Sequence, residues 1–196
     1  VPDWRLQRLT ELVHPKKTVP TTFEFTDIAG IVKGASKGEG LGNQFLSHIR
    51  QVDAICHVVR CFDDDNITHV EGRVDPLADI DTINLELVLA DLDSINKRYT
   101  RVAKVAKTKD KDAVAELAVL DKIKPVLEDG RSARSIEFTE EEQKIVKSLF
   151  LLTTKPILYV ANVAEDEVAE AESNHYVQEV RNFAAEEKAE VIVVSA

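Results

Sequence analysis

Residues 23–43 decide the fold, and they read Phe-Glu-Phe-Thr-Asp-Ile-Ala-Gly-Ile-Val-Lys-Gly-Ala-Ser-Lys-Gly-Glu-Gly-Leu-Gly-Asn. Apolar and polar side chains alternate at the start, so residues 21–27 are predicted to form a β-strand. Five of the seven glycines follow between residues 30 and 42. A strand that ends in Asp-x-x-Gly before a glycine-rich loop is typical of a nucleotide-hydrolysing switch. We therefore expect Asp27 to hold a hydrated Mg²⁺ and the Gly30 amide to approach a terminal phosphate.

Strands and helices alternate in most of the remaining chain, which predicts an α/β sheet domain. The apolar runs 54–59, 156–163 and 191–194 are typical of buried parallel strands. Helices are predicted over residues 3–14, 41–51 and 170–188.

Residues 76–139 follow a different pattern. Apolar side chains between Leu85 and Ala106 recur in alternating steps of three and four, which indicates a coiled-coil seam. Similar steps return over residues 112–128 after a polar turn, and Thr139 with Glu142 forms a capping-box signature for a third helix. We predict a partial nucleotide-binding domain (residues 1–75 and 140–196) with an inserted antiparallel helical arm (residues 76–139).

Two further motifs follow predicted strands. The first is Asn162-Val163-Ala164-Glu165, at a place where a GTPase would carry Asn-Lys-x-Asp, and the second is Ser195-Ala196. The Asp of the GTPase motif accepts hydrogen bonds from N1–H and the 2-amino group of guanine. Adenine has neither group, and losing charge-assisted bonds of about 1.5–3 kcal/mol would relax the specificity. We therefore expect ATP to be tolerated or favoured over GTP.

The chain has no Gly-x-x-x-x-Gly-Lys-[Ser/Thr] phosphate loop, so we expect it to be part of a longer protein that carries this loop upstream. A Rossmann site fits poorly, because Asn43 stands where its last glycine belongs. Ile31 occupies the place of a water-orienting Gln and cannot polarise water. His69 is a candidate for that role, although an exposed loop histidine is the simpler interpretation.

The composition limits the other partners. The net charge of −10 disfavours wholesale coating of nucleic acid, no apolar run is long enough to cross a membrane, and the two cysteines suggest reduced thiols. Seven basic residues and one acid nevertheless lie between residues 97 and 111, at the tip of the predicted arm. An RNA contact and a solvated helix face are equally compatible with this cluster. The candidates for the RNA contact are Arg101, Lys104, Lys107, Lys109 and Lys111.

Three segments closely resemble the YchF / Obg-like ATPase family: residues 27–46, residues 57–62 (His-Val-Val-Arg-Cys-Phe) and residues 162–165. The resemblance covers essentially the whole chain. Obg GTPases share the Gly-Leu-Gly loop but carry Pro where Ala29 stands and keep Asn-Lys-x-Asp. The family is similar to translation-factor-class P-loop NTPases and has a hydrophobic residue in place of the catalytic Gln, which Ile31 matches.

The resemblance implies a cytoplasmic, ribosome-associated switch that hydrolyses ATP or GTP with Mg²⁺. Asp27 would be the Mg²⁺–water ligand and Gly30 the γ-phosphate sensor, and the residues around the base would be Asn162, Val163, Glu165, Ser195 and Ala196. The P-loop and the C-terminal TGS domain of the family are missing, so we expect this fragment alone to be inactive. Two alternatives stay open: an Obg-type ribosome-assembly GTPase, and an RNA- or ribosome-binding module that works through the basic tip.

Overall fold

The computed structural model describes residues 3–28, 34, 42–64 and 73–196. Short 3₁₀ helices lie at Ala133–Ser135 and Glu165–Ser173. The strands are β1 (Ile55–Arg60), β2 (Ile157–Asn162) and β3 (Glu190–Val194). The helices are α1 (Trp4–Val13), α2 (Gly42–Gln51), α3 (Pro76–Ala106), α4 (Lys111–Glu128), α5 (Glu140–Leu149) and α6 (His175–Glu186).

The three strands form a parallel sheet in the order β1-β2-β3. The central strand β2 is the most buried, and Tyr159 and Ala161 are fully enclosed. They share one core cluster with Val59 of β1 and with Val177 and Val180 of α6. The prediction of an α/β fold with a parallel sheet is confirmed. The predicted burial is wrong for β1 and β3, because Val58 and Ile192 are 60% and 45% exposed and only β2 is largely enclosed.

The prediction of a strand over residues 21–27 is wrong, because these residues form no strand in the structure. Phe23 and Phe25 are 71% and 81% exposed, although their alternation suggested a buried face. Alternation supplies suitable side chains, but a strand also needs a neighbour that satisfies its backbone N–H and C=O groups. Among the described residues, β1 pairs only with β2, and segment 21–27 has no strand beside it.

Helices α3 and α4 pack against each other and are joined by residues 107–110. Asp110 caps α4 by accepting a hydrogen bond of 2.8 Å from the Ala113 amide. The prediction that Leu85 belongs to the seam is wrong, because Leu85 is 48% exposed. The core between the two helices is formed by Val88, Ile95, Val102, Ala113, Val119, Leu120, Ile123 and Leu127.

The other helix predictions need one confirmation and one correction. The capping box at the start of α5 is present, since the Thr139 side chain binds the Glu142 amide and the Glu142 side chain binds the Thr139 amide. The single helix predicted over residues 170–188 is wrong. Asn174 interrupts it, because its extended backbone ends the 3₁₀ segment and its side chain caps α6.

None of the helices in the described ranges has both the length and the apolar character that a membrane span requires.

Candidate nucleotide-binding site

The carboxyl ends of the three strands meet at one edge of the sheet. Arg60 pairs with Asn162 in the register of β1 and β2, and Asn162 pairs with Val194 of β3. The Asn162 Oδ1 atom accepts a hydrogen bond of 3.0 Å from the Ala196 amide. In open parallel sheets this edge is where ligands bind. The structure thus brings together the two motifs predicted to surround a base.

The side chains of these motifs differ in their availability. Asn162 Oδ1 already accepts the Ala196 amide, whereas Nδ2 makes no hydrogen bond to another described residue and is available to donate to a ligand. Glu165, Ser195 and Ala196 are exposed. Val163 is only 1% exposed and packs in the sheet core, so its side chain cannot contact a base as predicted.

Asn174 supports this edge of the sheet from α6. Its Oδ1 atom accepts hydrogen bonds from the Tyr176 and Val177 amides, at 2.9 and 3.2 Å. Its Nδ2 atom donates to the Cys61 carbonyl at 3.0 Å, directly after β1. One side chain therefore both starts α6 and fixes the loop that follows β1. Sequence reasoning missed this residue, although an Asn before an amphipathic run is an ordinary start signal for a helix.

The loop after β1 is shaped by Arg60. Its guanidinium carbon lies 4.7 Å from the centre of the Phe62 ring, and its Nε donates to the Phe62 carbonyl at 3.0 Å. The Tyr176 hydroxyl donates to the Asp63 carboxylate at 3.2 Å. These contacts set where the chain leaves β1 toward residues 65–72. His69 lies among those residues, outside the described part of the chain.

Asp27 is exposed at the end of the segment that leads to the glycines. The next residue, Ile28, packs against Leu46 and Ile49 of α2 and Leu87 of α3. No hydrogen bond or ion pair connects Asp27 to the strand-end motifs within the described ranges. Gly30, the predicted phosphate sensor, lies outside those ranges.

The described residues contain no group of three or more His, Cys, Asp or Glu side chains that could hold a metal ion together. A single exposed carboxylate at Asp27 nevertheless fits Mg²⁺, because this ion keeps several waters and takes one or two carboxylates alongside substrate phosphates. A single carboxylate would be a poor site for a metal that needs a full set of protein ligands.

The basic residues at the tip of the α3–α4 hairpin divide into two groups. Lys97 pairs with Asp93 at 2.6 Å, and Arg98 pairs with Glu116 of α4, so these charges are already compensated. The second group is exposed and forms no ion pair within the part of the chain that the structure describes. Its members are Arg101, Lys104, Lys107, Lys109 and Lys111, which are the residues proposed from the sequence.

A groove of about 640 Å³ lies elsewhere, at the opposite end of α6 from Asn174. It is lined by residues of α3, by the segment 130–137 and by Phe183, Glu186 and Glu187. None of the predicted nucleotide-binding residues lines it. The groove is therefore separate from the candidate nucleotide-binding site.

Comparison with known proteins decides the family. A family model described as a 50S ribosome-binding GTPase matches residues 7–195. The chain belongs to this GTPase family. The match includes the helical hairpin as well as the sheet, so the family assignment rests on nearly the whole chain rather than on one motif.

Within the 50S ribosome-binding GTPase family, the chain is similar to proteins named ribosome-binding ATPase YchF. The protein of Bacillus subtilis (strain 168) is 71% identical over 196 residues, which cover all of this chain and 54% of the relative. The protein of Escherichia coli O157:H7 is 54% identical, with 53% of its length covered. The chain thus spans about half the length of these relatives.

A solved structure agrees with this relationship. The YchF GTPase of Schizosaccharomyces pombe superposes with a TM-score of 0.81 at 38% sequence identity. The match covers 100% of this chain and 53% of that chain. The parallel sheet described above therefore belongs to a GTPase-domain-like α/β fold.

Proposed function

We propose that this chain is the core of a ribosome-associated hydrolase that converts a nucleoside triphosphate to the diphosphate and phosphate, and that works as a switch. The observation that carries the proposal is the hydrogen bond between Asn162 and Ala196, because it assembles both base-side motifs at the carboxyl edge of the sheet. The names of the relatives, which describe ribosome-binding ATPases, support the same function.

The orientation of Asn162 suggests how a purine is held. Since Oδ1 accepts from the Ala196 amide, Nδ2 is the atom left to donate to a ring nitrogen of the base. Adenine and guanine both offer ring nitrogens that accept such a bond. Asn162 then contributes affinity for both nucleotides and little discrimination between them.

Discrimination between adenine and guanine depends on the positions around Asn162. Val163 is buried in the core, so the site lacks the Lys stem that packs beside the nucleotide in a GTPase. Glu165 is exposed and its side chain is one methylene longer than the usual Asp. Loss of the charge-assisted guanine contacts, worth about 1.5–3 kcal/mol, corresponds to about one to two orders of magnitude in preference. We infer that ATP is accepted at least as well as GTP.

The remaining site roles extend this proposal. Asp27 would hold Mg²⁺ through water, and the Gly30 amide would contact the terminal phosphate. The bound Mg²⁺ would neutralise charge on the phosphates. His69 is our candidate for orienting the attacking water, because Ile31 cannot do so. The phosphate loop would come from a part of the protein outside this chain. We expect this chain to be inactive alone. We expect the full-length protein to be cytoplasmic.

Nucleotide titration of the whole protein tests the base site. We expect ATP to bind with an affinity equal to or higher than that of GTP. The Asn162→Ala variant should weaken both nucleotides by a similar factor, about 5- to 30-fold for a lost hydrogen bond of 1–2 kcal/mol. A wild-type preference for GTP of tenfold or more would contradict the base-site argument and favour an Obg-type GTPase.

A second function, contact with ribosomal RNA, is favoured by the exposed cations of the hairpin tip. Five basic side chains without acidic partners in the described structure form a local positive surface on a chain with a net charge of −10. Phosphate contacts by Lys and Arg release counterions, so such binding is strongly salt-dependent. If this surface acts without nucleotide, the protein is an RNA-binding module rather than a switch.

Charge reversal at the tip tests this contact. We expect the Lys104→Glu, Lys107→Glu, Lys109→Glu variant to bind ribosomes much more weakly than the wild type. At low salt, where its binding is still measurable, the slope of log K against log[salt] should be less negative by about 2–3. The control carries the same charge change at exposed lysines away from the tip: Lys16→Glu, Lys144→Glu and Lys147→Glu. If both variants bind ribosomes equally well, the hairpin tip is a solvated surface and does not contact RNA.

A further inference from the structure

Glu86 is a buried carboxylate in the first half of α3, with 4% of its surface exposed. It accepts a hydrogen bond of 2.7 Å from the backbone amide of Gly34, which lies 52 positions earlier in the glycine-rich segment. A buried carboxylate is costly unless it is hydrogen-bonded. The amide of Gly34 supplies such a bond, so the two groups stabilise each other's positions.

Gly34 has a backbone conformation that makes this contact specific. Its φ angle is +93°, in the left-handed region that residues with a Cβ atom rarely adopt. The direction of its amide is therefore set by a turn for which glycine is favoured. Gly34 also lies only four positions after Gly30, the proposed phosphate sensor.

The helix that carries Glu86 continues without interruption to the basic tip. Helix α3 has 31 residues, which corresponds to a length of about 45 Å. Its far end bears Arg101 and Lys104 of the proposed RNA contact. Near Glu86, Leu87 and Ala90 of the same helix pack against Leu46 and Ile49 of α2.

We propose that Glu86 is a positioning residue that fixes the Gly34 backbone to α3 and thereby couples the glycine-rich segment to the hairpin. The part of this inference that concerns hydrolysis rests on the proposed function. In this role the carboxylate acts on the Gly34 backbone rather than on the nucleotide. It holds one backbone amide in place, and a rigid helix connects that amide to the surface that would contact RNA.

Removal of the acceptor tests the proposal, and a conservative variant separates hydrogen bonding from charge. Glu86→Ala deletes the acceptor, whereas Glu86→Gln keeps an oxygen that can accept from the Gly34 amide. Val88→Ala is the matched control, because Val88 is buried in the same helix but packs in the hairpin core. Destabilisation of α3 alone would affect Val88→Ala as well.

Hydrogen exchange of the Gly34 amide in the whole protein is the direct measurement. We expect at least tenfold faster exchange in Glu86→Ala than in the wild type. Exchange in Glu86→Gln and Val88→Ala should stay within about threefold of the wild type. Equal exchange in Glu86→Ala and the wild type would overturn the proposal, and so would equal acceleration in Val88→Ala.

Steady-state hydrolysis by the same proteins gives the second measurement. We expect kcat of Glu86→Ala to fall at least tenfold while KM changes less than threefold, and Glu86→Gln should recover most of the loss. An unchanged kcat in Glu86→Ala would refute the coupling to hydrolysis. If the wild-type whole protein hydrolyses neither ATP nor GTP, the proposed function fails, and the exchange experiment alone decides the role of Glu86.

Discussion

Burial changes the acid–base chemistry of two side chains at β1. Burial raises the pKa of the Cys61 thiol to about 12, and the nearby carboxylates of Glu179 and Asp79 add to the effect. Burial lowers the pKa of His57 to about 4, and the positive charge of Arg134 acts in the same direction. Neither change could be read from the sequence, because burial and the charges of Glu179, Asp79 and Arg134 act on these side chains only in the folded chain.

The two cysteines should react very differently. Cys56 is exposed, whereas Cys61 is buried and only a minute fraction of it is thiolate at pH 8. We expect N-ethylmaleimide to add once to the native protein, at Cys56, as measured by mass spectrometry. The Cys56→Ser variant should stay unlabelled until denaturant is added. Labelling of native Cys56→Ser at the wild-type rate would contradict the burial of Cys61.

His57 should make the protein less stable in mild acid. Its folded-state pKa of about 4 lies below the unfolded value of about 6.5. The unfolded state therefore takes up a proton that the folded state refuses, and stability falls as the pH drops from about 6.5 toward 4. We expect the urea midpoint of the wild type to fall more between pH 7 and pH 4.5 than that of His57→Gln.

The control for this measurement is His48→Gln, because His48 is exposed on α2. This variant should show the same loss of stability in acid as the wild type. An identical loss in His57→Gln would mean that His57 is not the responsible group.

Individual elements depend on caps that the sequence indicates to different degrees. The capping box of α5 was evident from Thr139 and Glu142, since both partners lie within four residues. The start of α6 was placed too early, because the apolar spacing continues through the 3₁₀ segment before Asn174. Periodicity alone does not show where the backbone leaves the helical conformation.

Substitution of Asn174 should weaken α6 and the loop after β1 together. We expect Asn174→Ala to lower the free energy of unfolding by about 1–3 kcal/mol, through the lost cap and the lost bond to the Cys61 carbonyl. Asn174→Ser keeps a neutral acceptor for the cap but lacks the donor to the Cys61 carbonyl and the Glu167 carboxylate, so its loss should be smaller. Urea denaturation measures both. If Asn174→Ala changes the free energy of unfolding by less than about 0.3 kcal/mol, Asn174 does not stabilise α6 and the loop after β1.

Asp91 joins distant parts of the molecule. It is fully buried on α3 and accepts hydrogen bonds from the Leu152 amide at 2.9 Å and from both the amide and the hydroxyl of Thr153 at 2.8 Å. Arg50 of α2 lies 3.6 Å away. Burial raises the pKa of Asp91, and these donors act against that rise. The helical hairpin is attached through this carboxylate to the segment that precedes β2.

Loss of this carboxylate should affect global stability. We expect Asp91→Ala to cost about 2–4 kcal/mol, because it leaves buried amides without an acceptor. Asp93→Ala on the same helix removes an exposed carboxylate and should cost less than about 0.5 kcal/mol. Thermal and urea unfolding compare the two variants. Equal losses would show that Asp91 contributes no more than a surface charge.

The sequence by itself determined the three parallel strands, most helices, the strand-end motifs and the resemblance to a family, because these depend on local periodicity and on short runs of residues. Only the tertiary structure decided which residues meet. The bonds of Asn162 to Ala196 and of Glu86 to Gly34 span 34 and 52 positions. The failed strand at 21–27 has the same cause. A strand needs a partner, and burial needs a neighbour, which a local pattern cannot provide.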